Sequence, residues 1–125
     1  MAGSVEGLLV YQKSLAAASA ISAIIERPAF RRYPTLRAQL ADSSGGVPAH
    51  IREGYGQKTD RHFAHYLFIA RGEAQEVAAH LAVAQSRDCI TRDELTAYTG
   101  QFEEITKMLG GLIRHLHREN RKLRV

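Results

Sequence analysis

The segment SSGGVPAHIREGYGQ, which runs from Ser43 to Gln57, holds four glycines and a proline between two regions of helical periodicity. A phosphate-binding loop of the G-x-x-x-x-G-K-[ST] type, or a G-x-G-x-x-G fingerprint after a strand, would need spacings that this segment lacks. A linker would divide 125 residues into two halves, each too short for a stable core of its own. The segment therefore predicts a helix that bends at its centre and then ends in a turn.

The second helix is expected over about residues 34–53, because Pro34 suits a first helical turn and an apolar face recurs at helical spacing. That face consists of Leu36, Leu40, Val47 and Ile51. Pro48 removes a backbone donor and crowds the preceding turn, while the Gly-Gly pair before it absorbs the bend, so we predict a kink. Gly54 falls just after the expected C-terminus, where a left-handed residue is favoured, and Gly56 completes the turn.

Apolar periodicity predicts three more helices, over about residues 5–26, 60–87 and 93–120. The expected core positions of the first are Leu8, Tyr11, Leu15, Ala18, Ser22 and Ile25. Those of the third are Phe63, Leu67, Ala70, Ala74, Val77, Leu81 and Ala84. Those of the fourth are Leu95, Tyr98, Phe102, Ile105, Leu109, Leu112 and Leu116. The pattern predicts an all-α, antiparallel up-down-up-down four-helix bundle with a kinked second helix, as a single domain over residues 1–125.

Polar residues mark the expected starts of the last two helices. Thr59 or Asp60 would cap the third helix, and Thr91 or Asp93 would cap the fourth. Glu94 would then lie at the positive end of the fourth helix dipole, where a carboxylate is stabilising.

Glycines and excess apolar residues indicate close neighbours. Gly110 and Gly111 interrupt the fourth helix at roughly 1 kcal/mol each relative to alanine, and such glycines often admit another backbone, so we expect a neighbour there. The first helix carries a second apolar set beside its predicted core face, and apolar surface beyond the needs of one core favours a homo-oligomer. This second set consists of Val10, Ala17, Ile21 and Ile24.

The composition bounds the class of protein. Seventeen Lys and Arg against thirteen Asp and Glu give a net charge of +4, which makes RNA or DNA a candidate partner without establishing it. No apolar run approaches the roughly 18 residues of a membrane span, and Glu6 stands where a secretory signal carries basic residues. The single Cys89 can form no internal disulfide. We expect a cytoplasmic protein without membrane contact.

Basic residues are dense in the final stretch RHLHRENRKLRV. Its five cations, five of the seventeen in the chain, are Arg114, Arg118, Arg121, Lys122 and Arg124. Most of them share a broad helix face that would attract phosphates, and a ring of identical subunits would multiply that charge. The alternative is a solvated helix end whose cations only suit the helix dipole.

The turn between the second and third helices is the other candidate site. Its structural or pocket-lining residues would be Pro48, Glu53, Gly54, Tyr55, Gly56 and Tyr66. Glu53 lies at a helix C-terminus, which disfavours a carboxylate, so we expect the start of the third helix or a nearby cation to compensate it. The candidate cations are Arg52, Lys58 and Arg71. A small-molecule pocket near this turn is the alternative to a purely structural role.

No catalytic, metal or cofactor site is expected. Cys89 has no partner at motif spacing, and no serine lies in a nucleophile elbow. Glu73, Glu76 and His80 share a helix face, but no second matched set completes the Glu-x-x-His arrangement of two-metal bundles. A solvated or ion-paired helix face is the simpler interpretation of these three residues.

Several blocks resemble the bacterial four-helix bundle protein family, first noticed as proteins encoded within intervening sequences of large-subunit ribosomal RNA genes. The matching residues cover nearly the whole chain: Gln39-Leu40, Pro48, Ile51, Glu53-Gly54-Tyr55-Gly56, Phe63, Tyr66-Leu67, Ile69-Ala70, Gly72, Glu76, Leu81, Lys107-Met108-Leu109 and Leu112-Ile113. The resemblance implies an antiparallel bundle, a ring-shaped homopentamer and no established enzymatic activity. The same fold occurs in the accessory protein of diversity-generating retroelements, a basic pentamer that binds a reverse transcriptase and nucleic acid, so a reverse transcriptase is a further candidate partner.

This chain departs from the family pattern at several positions. Ala41 and Asp42 stand where basic residues are usual, which removes a basic patch from the second helix. His50 replaces a usual Asn, and the Gly-Gly pair before it replaces bulkier residues. His62 stands where a Glu would complete a capping box at the third helix.

Overall fold

The computed structural model describes the backbone of residues 3–122 and the side chains as far as Glu119. Its four α-helices are α1 (Leu9–Ile24), α2 (Pro34–Tyr55), α3 (Asp60–Ser86) and α4 (Arg92–Lys122). Short 3-10 helices, Val5–Gly7 and Pro28–Arg32, precede α1 and α2, and residues 3–122 contain no strand. Helix α3 packs against both α2 and α4, and α1 completes the bundle against the same two helices. The all-α four-helix prediction is confirmed.

Helix α2 continues without interruption through the Gly-Gly-Val-Pro sequence at its centre. Pro48 has no N–H, so the carbonyl of Ser44 loses its intrahelical donor. One turn earlier, the Ser43 hydroxyl donates to the Gln39 carbonyl at 2.7 Å, and the Ser44 hydroxyl donates to the Leu40 carbonyl at 2.6 Å. Serine side chains that bond back in this way favour a bent helix, so the segment accommodates proline and remains helical.

Gly54 does not have the role that the sequence predicted for it. It lies inside α2 and is buried, and among residues 3–122 the only glycine with positive φ is Gly3. Gly56, which follows the helix, also has a right-handed conformation with φ of −79°. A Cβ at Gly54 would lie 2.7 Å from the Cβ of Tyr66 and 3.1 Å from Cδ1 of Phe63. Glycine is needed here because α2 and α3 approach closely, and not to reverse the chain.

The core runs along one face of each helix. All four expected core residues of α2 are buried, and so are six of the seven expected in α3, with Phe63 half-buried. In α4 the most deeply buried residues are Phe102, Ile105 and Leu109. The predicted faces of these three helices are therefore confirmed.

The predicted core face of α1 is wrong at several positions. Leu15 is 44% exposed, Ser22 is exposed, and Leu8 and Ala18 are only half-buried. The set that the sequence placed on a second face, Val10, Ala17, Ile21 and Ile24, lies in the core instead. The helix is also shorter than the expected 5–26, because the chain is extended at Leu8 after a 3-10 turn.

Hydrogen bonds fix the starts of the last two helices. Thr59 Oγ1 accepts a 3.1 Å bond from the His62 N–H at the start of α3. At the start of α4 the Glu94 N–H donates to Thr91 Oγ1 at 3.1 Å, and the Thr91 N–H donates to Glu94 Oε1 at 2.9 Å, which is a complete capping box. Arg27 also donates to both oxygens of Glu94, at 2.9 and 2.5 Å. These bonds lower the pKa of Glu94 to about 2, with the Arg27 hydrogen bonds the largest cause.

Candidate nucleic-acid interface

An exposed phenylalanine and a half-buried arginine form a pair on α3. Their i, i+3 spacing places them on the same side of the helix. The guanidinium carbon of Arg71 lies 4.6 Å from the centroid of the Phe68 ring, and Phe68 is 58% exposed. This is the geometry of a cation–π contact, in which the ring positions the guanidinium without neutralising its charge.

A second arginine reaches the same place from α4. Gly110 is buried, and a Cβ built on it would lie 3.5 Å from Nη1 of Arg114 and 3.6 Å from Nη1 of Arg71. One nitrogen of each guanidinium group therefore lies within 3.6 Å of the same point beside Gly110, at the contact between α3 and α4. The sequence predicted a close neighbour at this glycine, and glycine there favoured a backbone. The neighbours are instead two arginine side chains.

Neither arginine of this pair has a carboxylate partner among the described side chains. The ion pairs between residues 3 and 119 are Lys13–Glu104, Arg27–Glu94, Arg37–Glu26, Arg52–Glu6 and His50–Glu73. Two like charges that converge without neutralisation create a local positive potential, and guanidinium groups bind phosphate through directed, charge-assisted hydrogen bonds. We call Phe68, Arg71 and Arg114 the α3–α4 basic cluster.

The predicted basic run is placed only in part. Arg114 and Arg118 are exposed one turn apart on α4. The side chains of Arg121 and Lys122, and all of Arg124, lie outside the described residues. Sequence reasoning missed Phe68 as a site residue and considered Arg71 only as a partner of Glu53. The available signal was a phenylalanine outside the apolar seam of α3, three residues before a cation.

The residues predicted around the α2–α3 turn do not form one site. The Tyr55 hydroxyl donates to the Gly3 carbonyl at 3.2 Å, and its ring meets Phe63 edge-on at 5.9 Å. Tyr55 lines a surface cleft of about 340 Å³ whose other apolar walls are Leu8, Phe63, Leu112 and Leu116. Tyr66 lies away from that cleft and stacks on His50, with ring centroids 6.3 Å apart.

Pro48, Gly56 and Glu53 contribute nothing to that cleft. Pro48 is buried within α2, and Gly56 ends the helix. The Glu53 side chain is exposed and makes no ion pair within residues 3–119. Arg52, one of its expected partners, bonds to Glu6 at 2.8 Å instead. The Glu53 carboxylate bonds to none of its expected partners within residues 3–119, so the expected compensation is wrong.

A polar contact between His50 and Glu73 crosses from α2 to α3. Nδ1 of His50 lies 2.5 Å from Oε1 of Glu73 and 3.0 Å from the Gly46 carbonyl. A Cβ at Gly46 would lie 1.8 Å from Oε2 of Glu73, so the missing side chain makes room for the carboxylate. Burial raises the pKa of Glu73, although the His50 contact opposes that shift.

The remaining candidate residues are the acidic and histidine side chains of α3 and the single Cys89. In the part of the chain that is described, no three His, Cys, Asp or Glu side chains converge in a way that could hold a metal ion. Glu73, Glu76 and His80 instead line a shallow surface groove with Asp42. Cys89 is buried, and burial raises the pKa of its thiol, which disfavours the reactive thiolate.

Within residues 3–122, no helix combines the length and the continuous apolar character needed to cross a bilayer.

Comparison with known proteins agrees with this architecture. The family model described as 23S rRNA-intervening sequence protein matches residues 6–111. The chain belongs to this family. The match confirms the resemblance carried by the Pro48 to Gly56 block and by the seams of α3 and α4.

A protein of known structure with a related description has the same fold. The crystal structure of a protein of unknown function from the S23 ribosomal protein family of Bacteroides thetaiotaomicron VPI-5482 superposes with a TM-score of 0.76 at 26% sequence identity. The alignment covers 84% of this chain and 98% of that one. No curated protein sequence matches this chain. The family and its solved relative therefore establish the bundle and assign no activity.

Proposed function

We propose that this protein is a non-enzymatic, homo-oligomeric scaffold that binds nucleic acid through the α3–α4 basic cluster. The observation that carries the proposal is the convergence of Arg71 and Arg114 above Gly110, with no carboxylate partner among the described residues. Bringing two guanidinium groups together is unfavourable unless an anion joins them. A phosphate group has the charge and the acceptor oxygens to do so.

Net charge supports the same proposal, and the proposed assembly would strengthen binding. The chain carries +4, and Arg118 extends the exposed basic surface along α4 from Arg114. In a closed ring each subunit would present its own copy of the cluster, so one nucleic-acid strand would contact several copies. Phosphate contacts on several subunits would add to the affinity and to its dependence on salt.

The test is a titration of the purified protein into labelled RNA and DNA strands, followed by fluorescence anisotropy at a series of salt concentrations. We expect binding at low salt that weakens linearly on a plot of log affinity against log salt concentration. Absence of binding at low salt, or an affinity that salt does not change, would contradict the proposal.

Apolar residues left on the outside of α1 are the proposed oligomer contact. Leu9 is 56% exposed and Leu15 is 44% exposed, whereas the other leucines of the described chain are buried or half-buried. A head-to-tail contact, repeated around a closed ring of subunits, would remove both side chains from water. The number of subunits that the family resemblance implies is five.

Light scattering of the wild-type protein and of Leu15→Lys tests this contact. We expect a pentameric mass for the wild type and a smaller mass for Leu15→Lys, with an unchanged circular dichroism spectrum because the side chain is outside the core. Ala97→Lys, at an exposed position of α4, is the matched control and is expected to keep the wild-type mass. A monomeric wild type, or equal masses for both variants, would contradict the contact.

The cleft beside Tyr55 favours a second candidate function, the binding of a small apolar molecule. Its volume of about 340 Å³ and its walls of Tyr55, Phe63 and Leu112 suit such a ligand. A thermal-shift screen would find ligands that raise the unfolding temperature. Binding in this cleft should survive Arg71→Gln and be lost in Leu112→Lys, and the opposite pattern would exclude the cleft.

A further inference from the structure

We propose that Phe68 and Arg71 form a stacking platform for an unpaired nucleobase, so that the protein prefers single-stranded over double-stranded nucleic acid. This inference rests on the proposed function and adds the class of substrate that the α3–α4 basic cluster recognises. It follows from the position of one aromatic ring, which the bundle itself does not use.

Phe68 differs from the other phenylalanines of the chain. Phe30 and Phe102 are fully buried, and Phe63 packs against the core and against Tyr55. Phe68 is 58% exposed, and it is the only large apolar side chain of α3 that is exposed. Exposure of a phenyl ring is unfavourable in water, and the fold gains no core packing from it.

The neighbours of the ring suit a base and its phosphate. Arg71 lies over the Phe68 ring at 4.6 Å, and Phe68 is nevertheless 58% exposed, which leaves apolar surface for a flat ligand. Bases stack on aromatic rings and on guanidinium planes alike, so the pair presents two compatible surfaces. Arg114 meets Arg71 above Gly110 and so places a second cation beside the stacking surface.

Strand preference follows from the availability of base faces. In a duplex the faces of the bases are covered by their stacked neighbours, whereas a single strand can place a base on an aromatic side chain. The phosphate backbone is present in both forms. The two arginines alone would therefore bind either form, and the ring would favour the single strand.

The absence of tryptophan in the chain allows a direct test at this position. Phe68→Trp introduces a single tryptophan, which can be excited selectively over the five tyrosines and keeps an aromatic face at an exposed site. We expect its fluorescence to be quenched by a single-stranded oligonucleotide at low salt, and much less by the same length of duplex or by an abasic strand of equal phosphate number.

Affinities measured by anisotropy complete the experiment. We expect the wild type to bind the single strand more tightly than the duplex or the abasic strand. Phe68→Leu, which keeps an apolar helix-forming residue, should weaken binding of the single strand roughly 5- to 50-fold. The same substitution should leave binding of the abasic strand unchanged, since that strand offers only phosphates and sugars.

The possible failures separate the two proposals. If the wild type and Phe68→Leu bind single strand, duplex and abasic strand with equal affinity, the stacking platform is wrong and the phosphate interaction stands. If the wild type binds none of the three strands at low salt, the proposed function is wrong, and the platform fails with it.

Discussion

The contacts that α3 makes with α2 and with α4 both include a helical glycine, yet the two glycines face different surroundings. At Gly54 the neighbours are the Cβ of Tyr66 at 2.7 Å and the backbone oxygen of Phe63 at 3.3 Å from the position of a Cβ. At Gly110 they are the terminal nitrogens of Arg114 and Arg71, at 3.5 and 3.6 Å. Glycine therefore permits close packing in the first contact and lies beneath a charged cluster in the second.

The contact at Gly54 therefore matters for stability, whereas the contact at Gly110 lies at the proposed recognition surface. Atoms fixed to the backbone cannot retreat from a new side chain, so the α2–α3 contact is closed and depends on Gly54. The ends of arginine side chains are flexible and stand at ordinary van der Waals distance, so the α3–α4 contact does not depend on Gly110 in that way. Substitutions at the glycines and at the helix ends should show this contrast.

The largest effect on stability is expected for Gly54→Ala. The added methyl group overlaps Tyr66 and Phe63, and repacking should lower the free energy of unfolding by about 1–3 kcal/mol. Urea denaturation followed by circular dichroism measures the change. Helix propensity alone predicts the opposite sign, a gain of about 1 kcal/mol, and such a gain would show that α2 and α3 are not in close contact at Gly54.

The next largest effect is expected at the N-terminus of α4, which is held by the hydrogen bonds of Glu94. Glu94→Gln is expected to lower the free energy of unfolding by about 1–2 kcal/mol at neutral pH, since Arg27 loses its charged partner and solvent screens part of that loss. Because folding lowers the pKa of Glu94 to about 2, its contribution is present above the ordinary value of 4.5 and disappears as the pH falls toward 2.

A pH series checks the sign of that effect. The wild type should lose stability between about pH 4.5 and 2, and Glu94→Gln should lose less over the same window. Glu104→Gln, which removes the partner of Lys13 in a more exposed pair, is the control and should follow the wild type. Parallel curves for the wild type and Glu94→Gln would mean that this carboxylate does not anchor α4.

A smaller effect, of opposite sign, is expected for Gly110→Ala. No neighbour is closer than 3.5 Å to the new methyl group, so the gain in helix propensity should raise the free energy of unfolding by about 0.5–1 kcal/mol. Nucleic-acid affinity should stay within about twofold of the wild type, because both guanidinium groups keep their places. Destabilisation by this substitution would indicate a closer backbone contact than the structure has.

Gly46→Ala should have the smallest net effect on stability. Its methyl group displaces the Glu73 carboxylate, which is the end of a flexible side chain, and the lost contact with His50 offsets the gain in helix propensity to within about 0.5 kcal/mol. The substitution should lower the pKa of Glu73 toward its ordinary value, since the carboxyl group moves into water. Carbon-13 NMR titration would detect this shift, and an unchanged pKa would contradict the displacement.

The bundle was predictable because three helices have distinct apolar seams. Leu36, Leu40 and Ile51 define the buried face of α2, even with Pro48 between them. In α1 the run of alanines and serines leaves the direction of the apolar face ambiguous, and Leu15 was assigned to the core for that reason. Gly54 was misassigned because a glycine near a helix end is common both as a terminator and as a packing residue, and only the position of α3 distinguishes the two.

The candidate site was less predictable than the fold. Arg114 was found because cations are dense at that end of the chain. Its meeting with Arg71 depends on the register between α3 and α4, which periodicity does not specify. Phe68 lies outside the seam of α3, but a single exposed aromatic residue acquires meaning only when its neighbours in space are known.

The salt dependence of nucleic-acid binding tests most directly whether the α3–α4 contact is a recognition surface. Arg71→Gln combined with Arg114→Gln should reduce the slope of log affinity against log salt on a single strand by about 1.4 or more, because two phosphate contacts are lost in each subunit. Arg31→Gln combined with Arg32→Gln removes the same charge from the exposed 3-10 helix between α1 and α2, and should leave the slope unchanged. Equal losses of slope in both double variants would show that only net charge matters and would contradict a site at Gly110.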